Sequence, residues 1–260
     1  MSTALFEEVI FGPIHSRRLG LSLGVNLPPQ HAKICNFDCI YCECGSNSER
    51  VGLSSERRFA TRGRVSELLE AKLREMTTEG ALPDVITFAG NGEPTMHPDF
   101  EAIIDDTIKL RDSLSPNSKI SVLSNATRLS VPSVQRALLR VDNNILKLDS
   151  ALQTTAEAMN RPNSVYSVES VIDGMRQFEG RCIVQTMLLR GEVEGQKINN
   201  TAEEEVEAYI EAIKKIAPSS VMLYSIDRDT PCGGLQRVSK EDMESIAERL
   251  RSEGYTVSVS

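Results

Sequence analysis

Four of the six cysteines in this 260-residue chain lie within ten residues, at positions 35, 39, 42 and 44. Cys35, Cys39 and Cys42 have the spacing C-x3-C-x2-C. Thiolate sulfur binds iron and zinc strongly, so this crowding predicts a metal site. Three thiolates can bind three irons of a cubane cluster and leave the fourth iron without a protein ligand. An open metal position of this kind allows a cluster to bind and act on a small molecule, which an electron carrier with four cysteine ligands does not do.

The same residues also allow another metal site. Cys44 supplies a fourth thiolate, and four thiolates suit tetrahedral zinc. The spacing also permits Cys39, Cys42 and Cys44 as the ligand set. A disulfide framework is not favoured, because such frameworks belong to small secreted domains. Cys182 lies in a strand-like run and is predicted to be a small buried hydrophobic residue, whereas Cys232 fits a surface turn.

A second motif, FAGNGEPT at residues 88–95, follows a predicted strand directly. Its glycines let backbone groups approach a ligand closely, and the Glu93 carboxylate can accept hydrogen bonds from an ammonium group. By itself, the motif also fits a tight strand-to-helix turn that is capped by Glu93. Its position in the βα unit after the cysteine loop favours a role beside the metal site.

Short apolar runs rich in β-branched residues alternate with amphipathic stretches along most of the chain. The runs predict buried parallel strands, and the stretches have the apolar spacing of helices. The predicted strands cover residues 22–27, 85–90, 120–124, 145–149, 182–188 and 220–226, with a possible seventh at 256–260. The predicted helices cover residues 65–78, 99–113, 131–139, 168–178, 202–216 and 240–252.

This alternation predicts an α/β fold, specifically a partial (β/α)6 TIM-like barrel with parallel strands and a possible extra C-terminal strand. The chain is too short for eight βα units. We predict a single domain over residues 1–260. Residues 1–30 form an N-terminal extension and the first strand, and residues 31–50 form the cluster-binding loop. Ligands of such folds bind at the C-terminal ends of the strands, which is where both motifs fall.

Polar residues also follow the later strands. Ser124 and Asn125 end the third predicted strand, Lys147 and Asp149 end the fourth, and residues 185–188 lie in the fifth. Side chains at the C-terminal ends of parallel strands converge on one site. Helix capping, turn hydrogen bonds and core packing explain each residue equally well when it is taken alone.

The cysteine spacing, with the aromatic Tyr41 just before the third cysteine, resembles the signature loop of the radical S-adenosylmethionine (SAM) superfamily. The resemblance implies a 4Fe-4S cluster on Cys35, Cys39 and Cys42, with SAM bound to the open iron. Reductive cleavage of SAM would then give a 5'-deoxyadenosyl radical that abstracts hydrogen from a substrate. No side chain need act as a catalytic nucleophile.

The resemblance extends to the residues that would bind SAM. The motif at residues 88–95 is similar to the Gly-Gly-Glu motif of the superfamily. The implied roles are the adenine side for Tyr41, the methionine end for the glycine motif, ribose or carboxylate contacts for Ser124 and Asn125, and a further polar contact for Lys147 or Asp149. The glycine-motif residues are Gly90, Asn91, Gly92, Glu93 and Pro94, and the implied adenine wall is Gln185, Thr186, Met187 or Leu188.

The N-terminal stretch FGPIHSRRLG at residues 11–20, with SLGVNL at residues 22–27, resembles a subgroup of predicted iron-sulfur oxidoreductases. That subgroup is distantly similar to the wybutosine-forming tRNA enzymes. The net charge of -8 argues against a general nucleic-acid binder, so a tRNA substrate is possible but not favoured. Peptides, nucleotides and small metabolites are also compatible substrates.

Charge and hydropathy bear on partners and location. Residues 15–64 contain eight Lys or Arg and four Asp or Glu, a basic collar of net charge +4 around the cysteines. This collar could meet an anionic substrate or an acidic, low-potential electron donor of the flavodoxin or ferredoxin type. No window has the roughly 20 apolar residues of a membrane span, which predicts a cytoplasmic protein without a membrane partner. The alternative to an enzyme is a non-catalytic zinc-binding or RNA-binding module.

Overall fold

The computed structural model describes residues 5–16, 20–47, 59–228 and 230–260. Within these ranges the chain forms α-helices and β-strands. The helices are α1 (Arg62–Glu79), α2 (Phe100–Leu114), α3 (Pro132–Leu138), α4 (Gln153–Asn160), α5 (Val168–Arg176), α6 (Glu203–Ile216) and α7 (Lys240–Ser252). The strands are β1 (Ile10–Ser16), β2 (Gly20–Val25), β3 (Val85–Phe88), β4 (Lys119–Ser124), β5 (Asn143–Lys147), β6 (Ile183–Val193), β7 (Gln196–Asn199), β8 (Ser220–Ser225), β9 (Leu235–Arg237) and β10 (Val257–Val259).

The main sheet runs in the order β1-β2-β3-β4-β5-β6-β8-β10. In this order, every neighbouring pair from β2 through β6 and β8 to β10 is parallel. Strand β1 pairs antiparallel with β2 at one edge. The short strands β7 and β9 pair antiparallel with the distal half of β6. Six βα units are therefore followed by a C-terminal strand, which confirms the predicted partial barrel and its extra strand.

The structure contains elements that the sequence pattern did not predict. Strand β1 includes Gly12 and Pro13, which interrupt a strand pattern, and its pairing shifts register between Phe11 and Ile14. An edge strand tolerates such residues because one side needs no ladder partners. Helix α4 has eight residues and a largely polar sequence, so its apolar periodicity is weak. Strand β6 continues beyond the predicted residue 188 to Val193.

Two apolar clusters organise the interior. The larger one lies between the parallel strands and the helices and includes Leu23, Ile86, Leu69 and Ile104. The smaller one lies beneath the cysteine loop. Its buried members are Phe37, Cys39, Ile40, Tyr41, Met159, Met187, Leu189, Val193 and Ile198. The loop that carries the metal-binding motif is therefore packed into the domain through its own side chains.

None of the helices in the described residues has the length and apolar character needed to cross a membrane. The predicted basic collar lies only partly within the described residues. Five of its eight basic residues are outside them, namely Arg17, Arg18, Arg50, Arg57 and Arg58. Residues 48–50 of the predicted cluster-binding loop also lie outside the described residues.

Candidate functional site

The cysteine loop lies along the chain that leaves helix α4. The amide of Asp38 donates to the carbonyl of Asn160 (2.9 Å), and the amide of Ile40 donates to the carbonyl of Met159 (3.0 Å). An isolated antiparallel bridge joins Phe37 to Pro162. These backbone contacts fix the loop at the C-terminal edge of the sheet, where ligands of parallel α/β folds bind.

Inside the loop, Asn47 and Asp38 close the turn. The Asn47 side chain donates to the carbonyls of Phe37 (2.7 Å) and Cys35 (3.2 Å), and its amide donates to the Asp38 carboxylate (2.6 Å). Lys33 Nζ donates to the carbonyl of Gly45 across the loop (2.9 Å). The conformation of the loop is therefore specified by polar contacts within it as well as by the apolar cluster beneath it.

Three cysteines line one cavity of about 220 Å³ at this edge of the sheet. They are Cys35, Cys39 and Cys42, and the rest of the wall is formed by two other residues of the cysteine loop and by residues in or just after β3, β4, β5, β6 and β8. The wall residues are Lys33, Phe37, Ala89, Gly90, Gly92, Glu93, Leu123, Ser124, Asn125, Lys147, Gln185 and Tyr224. The structure thus brings together the cysteine loop, the glycine motif and the polar strand ends.

Nitrogen donors face two of the cysteine sulfurs. The Asn125 amide nitrogen lies 3.6 Å from Cys35 Sγ, and the Asn160 amide nitrogen lies 3.5 Å from Cys39 Sγ. The ammonium of Lys147 lies 3.9 Å from Cys39 Sγ. Such donors stabilise negative charge on sulfur, as ligation of a metal cluster requires.

Burial and neighbouring charges shift the pKa values of these groups. Burial raises the pKa of Cys35 to about 12, and it also raises the pKa of Cys39. A hydrogen bond from Cys44 lowers the pKa of Cys42 to about 5. Burial lowers the pKa of Lys33, but attraction to the three thiolates and to Asp38 outweighs it and leaves that pKa raised.

Cys44 lies beside Cys42 and Gly90. Its thiol interacts with Cys42, its sulfur lies 3.3 Å from the carbonyl oxygen of Gly90, and Cys44 is not among the residues that line the cavity. In the described part of the chain, no group of three or more His, Cys, Asp or Glu side chains is arranged to hold a metal ion. A single zinc ion would bring four sulfurs within about 2.3 Å of one point. The three cysteines instead surround a cavity, an arrangement that fits a larger inorganic cluster.

The glycine motif packs directly against the cysteine loop. The amide of Ile34 donates to the carbonyl of Asn91 (2.9 Å), the amide of Glu93 donates to the carbonyl of Ile34 (3.0 Å), and Ile34 forms a parallel bridge with Gly92. A Cβ atom on Gly92 would lie 1.8 Å from the Ile34 carbonyl oxygen. Gly92 therefore permits contact between the two loops, a role that was not predicted from the sequence.

Asn91 is fully buried and faces the N-terminal segment. Its amide nitrogen donates to the carbonyls of Phe6 and Pro29 (2.9 Å each), and its side-chain oxygen accepts from the Phe6 amide (2.8 Å). It does not line the cavity. Pro94 is also buried and begins a short 3-10 turn, Pro94–Met96. Of the five residues that the resemblance placed at the methionine end of SAM, only Gly90, Gly92 and Glu93 reach the cavity wall.

The Glu93 carboxylate joins the ends of β3 and β4. One oxygen accepts from the Thr95 amide (3.0 Å), the Thr95 hydroxyl (2.5 Å) and the Ser124 hydroxyl (2.9 Å), and the other accepts from the Asn125 amide (2.7 Å). Burial raises the pKa of Glu93, and these hydrogen bonds oppose the rise. Ser124 and Asn125, both predicted site residues, are therefore held in place by Glu93.

Tyr41, Lys147 and Asp149 form one buried polar network. The Tyr41 hydroxyl contacts the Asp149 carboxylate and the Lys147 ammonium, and Lys147 Nζ lies 3.7 Å from the same carboxylate. The Asn160 amide donates to Asp149 (2.7 Å). Lys147 also lies over the Tyr41 ring, 4.6 Å from its centroid. The network connects the cysteine loop to the end of β5 and places Lys147 beside Cys39.

The four residues proposed for the adenine wall alternate between the two faces of β6, as strand geometry requires. Gln185 lines the cavity, and Met187 packs beneath the cysteine loop. The Thr186 hydroxyl donates to the carbonyl of Leu148 (2.8 Å) on the opposite face, and Leu188 lies in the larger core. Gln185 is the one of these four residues in the cavity wall.

Three residues that were not predicted as site residues lie at or beside the cavity, namely Lys33, Asn160 and Tyr224. Asn160 ends the unpredicted helix α4, and Tyr224 lies near the end of β8. Tyr224 also lines a smaller cavity of about 60 Å³ together with Tyr41, Met187 and residues of the loop after β8. Lys33 could have been predicted as a site residue, because it lies only two residues before Cys35 in the sequence.

Other residues considered in the sequence have structural surroundings. His97 is buried, and its imidazole contacts the carbonyl of Ala60 (2.7 Å) and accepts from the Asp99 amide (2.9 Å), so it helps to begin α2. Cys182 is buried in the larger core, as predicted. Cys232 is partly buried against the smaller apolar cluster.

Comparison with known proteins is consistent with this site. The family model of the Radical SAM superfamily matches residues 30–204. A protein named GTPase Obg from Brachyspira hyodysenteriae is 30% identical over 239 residues, which cover 90% of this chain and 32% of that protein. A UPF0026 protein from Helicobacter pylori is 30% identical over 227 residues, covering 85% of this chain and 67% of the relative. The chain thus spans about a third of the first relative's length.

Solved structures share the fold. A radical SAM methyltransferase from Sphaerobacter thermophilus has a TM-score of 0.65 at 17% identity, over 92% of this chain and 65% of that chain. Archaeal TYW1 has a TM-score of 0.54 at 12% identity, over 89% of this chain and 71% of that chain. The family match covers more than half of the chain and includes the cysteine loop and the glycine motif. The chain therefore belongs to the Radical SAM superfamily, whose members carry out SAM-dependent radical chemistry.

Proposed function

We propose that this chain is an enzyme that holds a 4Fe-4S cluster on Cys35, Cys39 and Cys42 and uses it with SAM to abstract hydrogen from a substrate. The observation that carries the proposal is the single cavity that these three cysteines share with the end of the glycine motif and with polar residues of four strand ends. When bound, the two cofactors supply the reductive cleavage of SAM and the hydrogen abstraction.

The chain's own residues position these groups. The three thiolates would hold the cluster, with Asn125 and Asn160 donating toward its sulfur ligands. Lys147 and Gln185 are polar groups on the remaining wall. The Lys147 ammonium suits a carboxylate of a small cofactor, and the Gln185 side-chain amide suits its other hydrogen-bonding groups. The apolar cluster beneath the loop keeps water from the inner side of the site.

The substrate would enter over the smaller cavity after β8. An exposed ion pair joins Arg228 of this loop to Glu43 of the cysteine loop (2.7 Å), and a second joins Arg237 to Asp227 (3.3 Å). We assign the supply of electrons to a low-potential donor of the flavodoxin or ferredoxin type. A tRNA substrate is not favoured by the net charge of -8.

The proposal is tested on protein that has been purified and reconstituted with iron and sulfide without oxygen. After reduction with dithionite and addition of SAM, we expect 5'-deoxyadenosine by mass spectrometry, and none from Cys39→Ala. Lys72→Met on α1 is the control, because it changes a partly exposed side chain outside the cavity. Tightly bound zinc with no iron uptake, or a product that does not require Cys39, would contradict the proposal.

A Cys44→Ala variant separates the possible ligand sets. Because Cys44 is not among the residues that line the cavity, we expect the variant to bind about the same iron and sulfide per chain as the unmodified protein. Cys42→Ala should lose most of the bound iron. Iron content and the visible absorption of the reconstituted proteins provide the measurement. Equal losses in the two variants would show that Cys44 is a ligand.

A further inference from the structure

Among the described residues, a buried lysine of the cysteine loop has two protein acceptors for its three ammonium N–H bonds. The Lys33 side chain is 3% exposed, and its ammonium donates to the Gly45 carbonyl (2.9 Å) and approaches the Asp38 carboxylate (3.4 Å). Two acceptors leave one of its three N–H bonds for another acceptor. Lys33 lines the same cavity as the three cysteines.

Lys33 is more deeply buried than its carboxylate partner. The Asp38 side chain is 27% exposed, so solvent screens its charge more than that of Lys33. Asp38 also accepts from the Asn47 amide and the Ser46 hydroxyl, so its negative charge is shared between Lys33 and two other donors. The pair therefore presents an incompletely balanced positive charge to the cavity.

A 4Fe-4S cluster with three thiolate ligands becomes more negative by one charge on reduction. A fixed positive charge nearby stabilises the reduced form more than the oxidised form, and a fixed negative charge does the opposite. Net charge and solvent exposure are among the properties that set cluster potentials. The strength of such an effect increases with burial because the local dielectric is lower.

We propose that the Lys33–Asp38 pair sets the reduction potential of the cluster, with Lys33 raising the potential and Asp38 lowering it. This inference rests on the proposed function, since it requires a cluster on Cys35, Cys39 and Cys42. On this inference, Lys33 affects the delivery of the electron to the cluster through its charge and position. This role is separate from the roles of the residues that would contact SAM.

Four variants test the two charges. Lys33→Met removes the positive charge and keeps an unbranched side chain that is shorter by one atom, and Lys33→Arg keeps the charge. Asp38→Asn removes the negative charge, and its amide group can still accept from the Asn47 amide and donate to the Ser46 hydroxyl. Lys214→Met on α6 is the matched control, because it removes a positive charge from an exposed ion pair outside the cavity.

The measurement is a redox titration of each reconstituted protein, with the reduced cluster quantified by electron paramagnetic resonance. We expect Lys33→Met to lower the ratio of reduced to oxidised cluster about tenfold at a fixed poise, which is about 59 mV for one electron. Asp38→Asn should raise the ratio by a smaller factor because Asp38 is more exposed. Lys33→Arg and Lys214→Met should match the unmodified protein.

The opposite signs distinguish an electrostatic role from structural damage. If Lys33 had only a structural role, Lys33→Met would bind less iron, and the reduction potentials of Lys33→Met and Asp38→Asn would not shift in opposite directions. If Lys33→Met binds no cluster, the shift in the reduction potential of Asp38→Asn decides whether the pair acts on the cluster through its charges. Unchanged potentials, or shifts of the same sign in Lys33→Met and Asp38→Asn, would overturn the inference while leaving 5'-deoxyadenosine formation intact. Failure of the unmodified chain to bind iron would instead refute the proposed function and the inference with it.

Discussion

Replacement of Gly92 with alanine is expected to lower the free energy of unfolding by about 3 kcal/mol or more and to prevent most iron uptake. The added Cβ would lie 1.8 Å from the Ile34 carbonyl oxygen, which belongs to backbone and cannot rotate away. Gly92 also has φ of +144°, a conformation that alanine rarely adopts. The substitution must therefore separate the glycine motif from the cysteine loop or strain both.

Urea unfolding of the metal-free protein and iron content after reconstitution measure the two effects. Gly63→Ala is the matched control, since no atom lies within 4 Å of a Cβ at that position in α1. Alanine favours a helix over glycine by up to about 1 kcal/mol, so the control should be neutral or slightly more stable. A Gly92→Ala protein with unchanged stability and iron content would show that the two loops are not coupled as the structure indicates.

The role of Gly92 illustrates which part of the site could be predicted. The motif itself was found from local sequence, because glycines beside a carboxylate after a strand form a recognisable pattern. The partner of Gly92 could not be found in this way, because Ile34 is far away in sequence and belongs to a loop without periodicity. The glycines were therefore predicted to approach a ligand. Gly90 and Gly92 do line the cavity, but Gly92 also lies against Ile34 and Gly90 against the Asn26 side chain.

The fold could be predicted in most of its parts because buried strands and amphipathic helices leave periodic patterns. All six main predicted strands and the possible C-terminal strand are present, and helix α7 has the predicted bounds. Strand β1 and helix α4 were missed because tertiary contacts, and not local apolar periodicity, stabilise them. Asn26 donates from its amide to the Val9 carbonyl beside β1, and α4 is held by the cysteine loop.

The same limit applies to the contacts around the sulfurs. Cysteine spacing is local, and the three cysteines that it selected, Cys35, Cys39 and Cys42, line one cavity. Asn160, however, contacts the sulfur of Cys39 across 121 residues, and Lys147 contacts it across 108. Lys147 was selected because it ends a strand, whereas Asn160 ends an unpredicted helix. Sequence therefore identifies these three cysteines more readily than the groups that surround them.

Glu93→Gln is expected to lower the free energy of unfolding by about 2 kcal/mol and to disturb the ends of β3 and β4 together. The carboxylate accepts on both oxygens, whereas the amide has only one acceptor. If the remaining oxygen accepts from Thr95 and Ser124, the amide nitrogen must face the Asn125 amide, and two donors then oppose each other. A lost hydrogen bond to a charged group accounts for about 1.5–3 kcal/mol, and relief of the buried charge offsets part of that.

The matched control is Glu67→Gln, which neutralises an exposed glutamate in an ion pair with Arg64 and should change stability by less than about 0.5 kcal/mol. Urea unfolding of the metal-free chain measures both variants. The reconstituted Glu93→Gln protein should also form less 5'-deoxyadenosine per bound iron, because Asn125 would lose the contact that places it beside Cys35. A variant with lower stability but unchanged product per iron would assign Glu93 to the scaffold alone. A variant with unchanged stability would contradict the geometry in which two carboxylate oxygens accept four hydrogen bonds, because no rearrangement of an amide can satisfy donors on both sides.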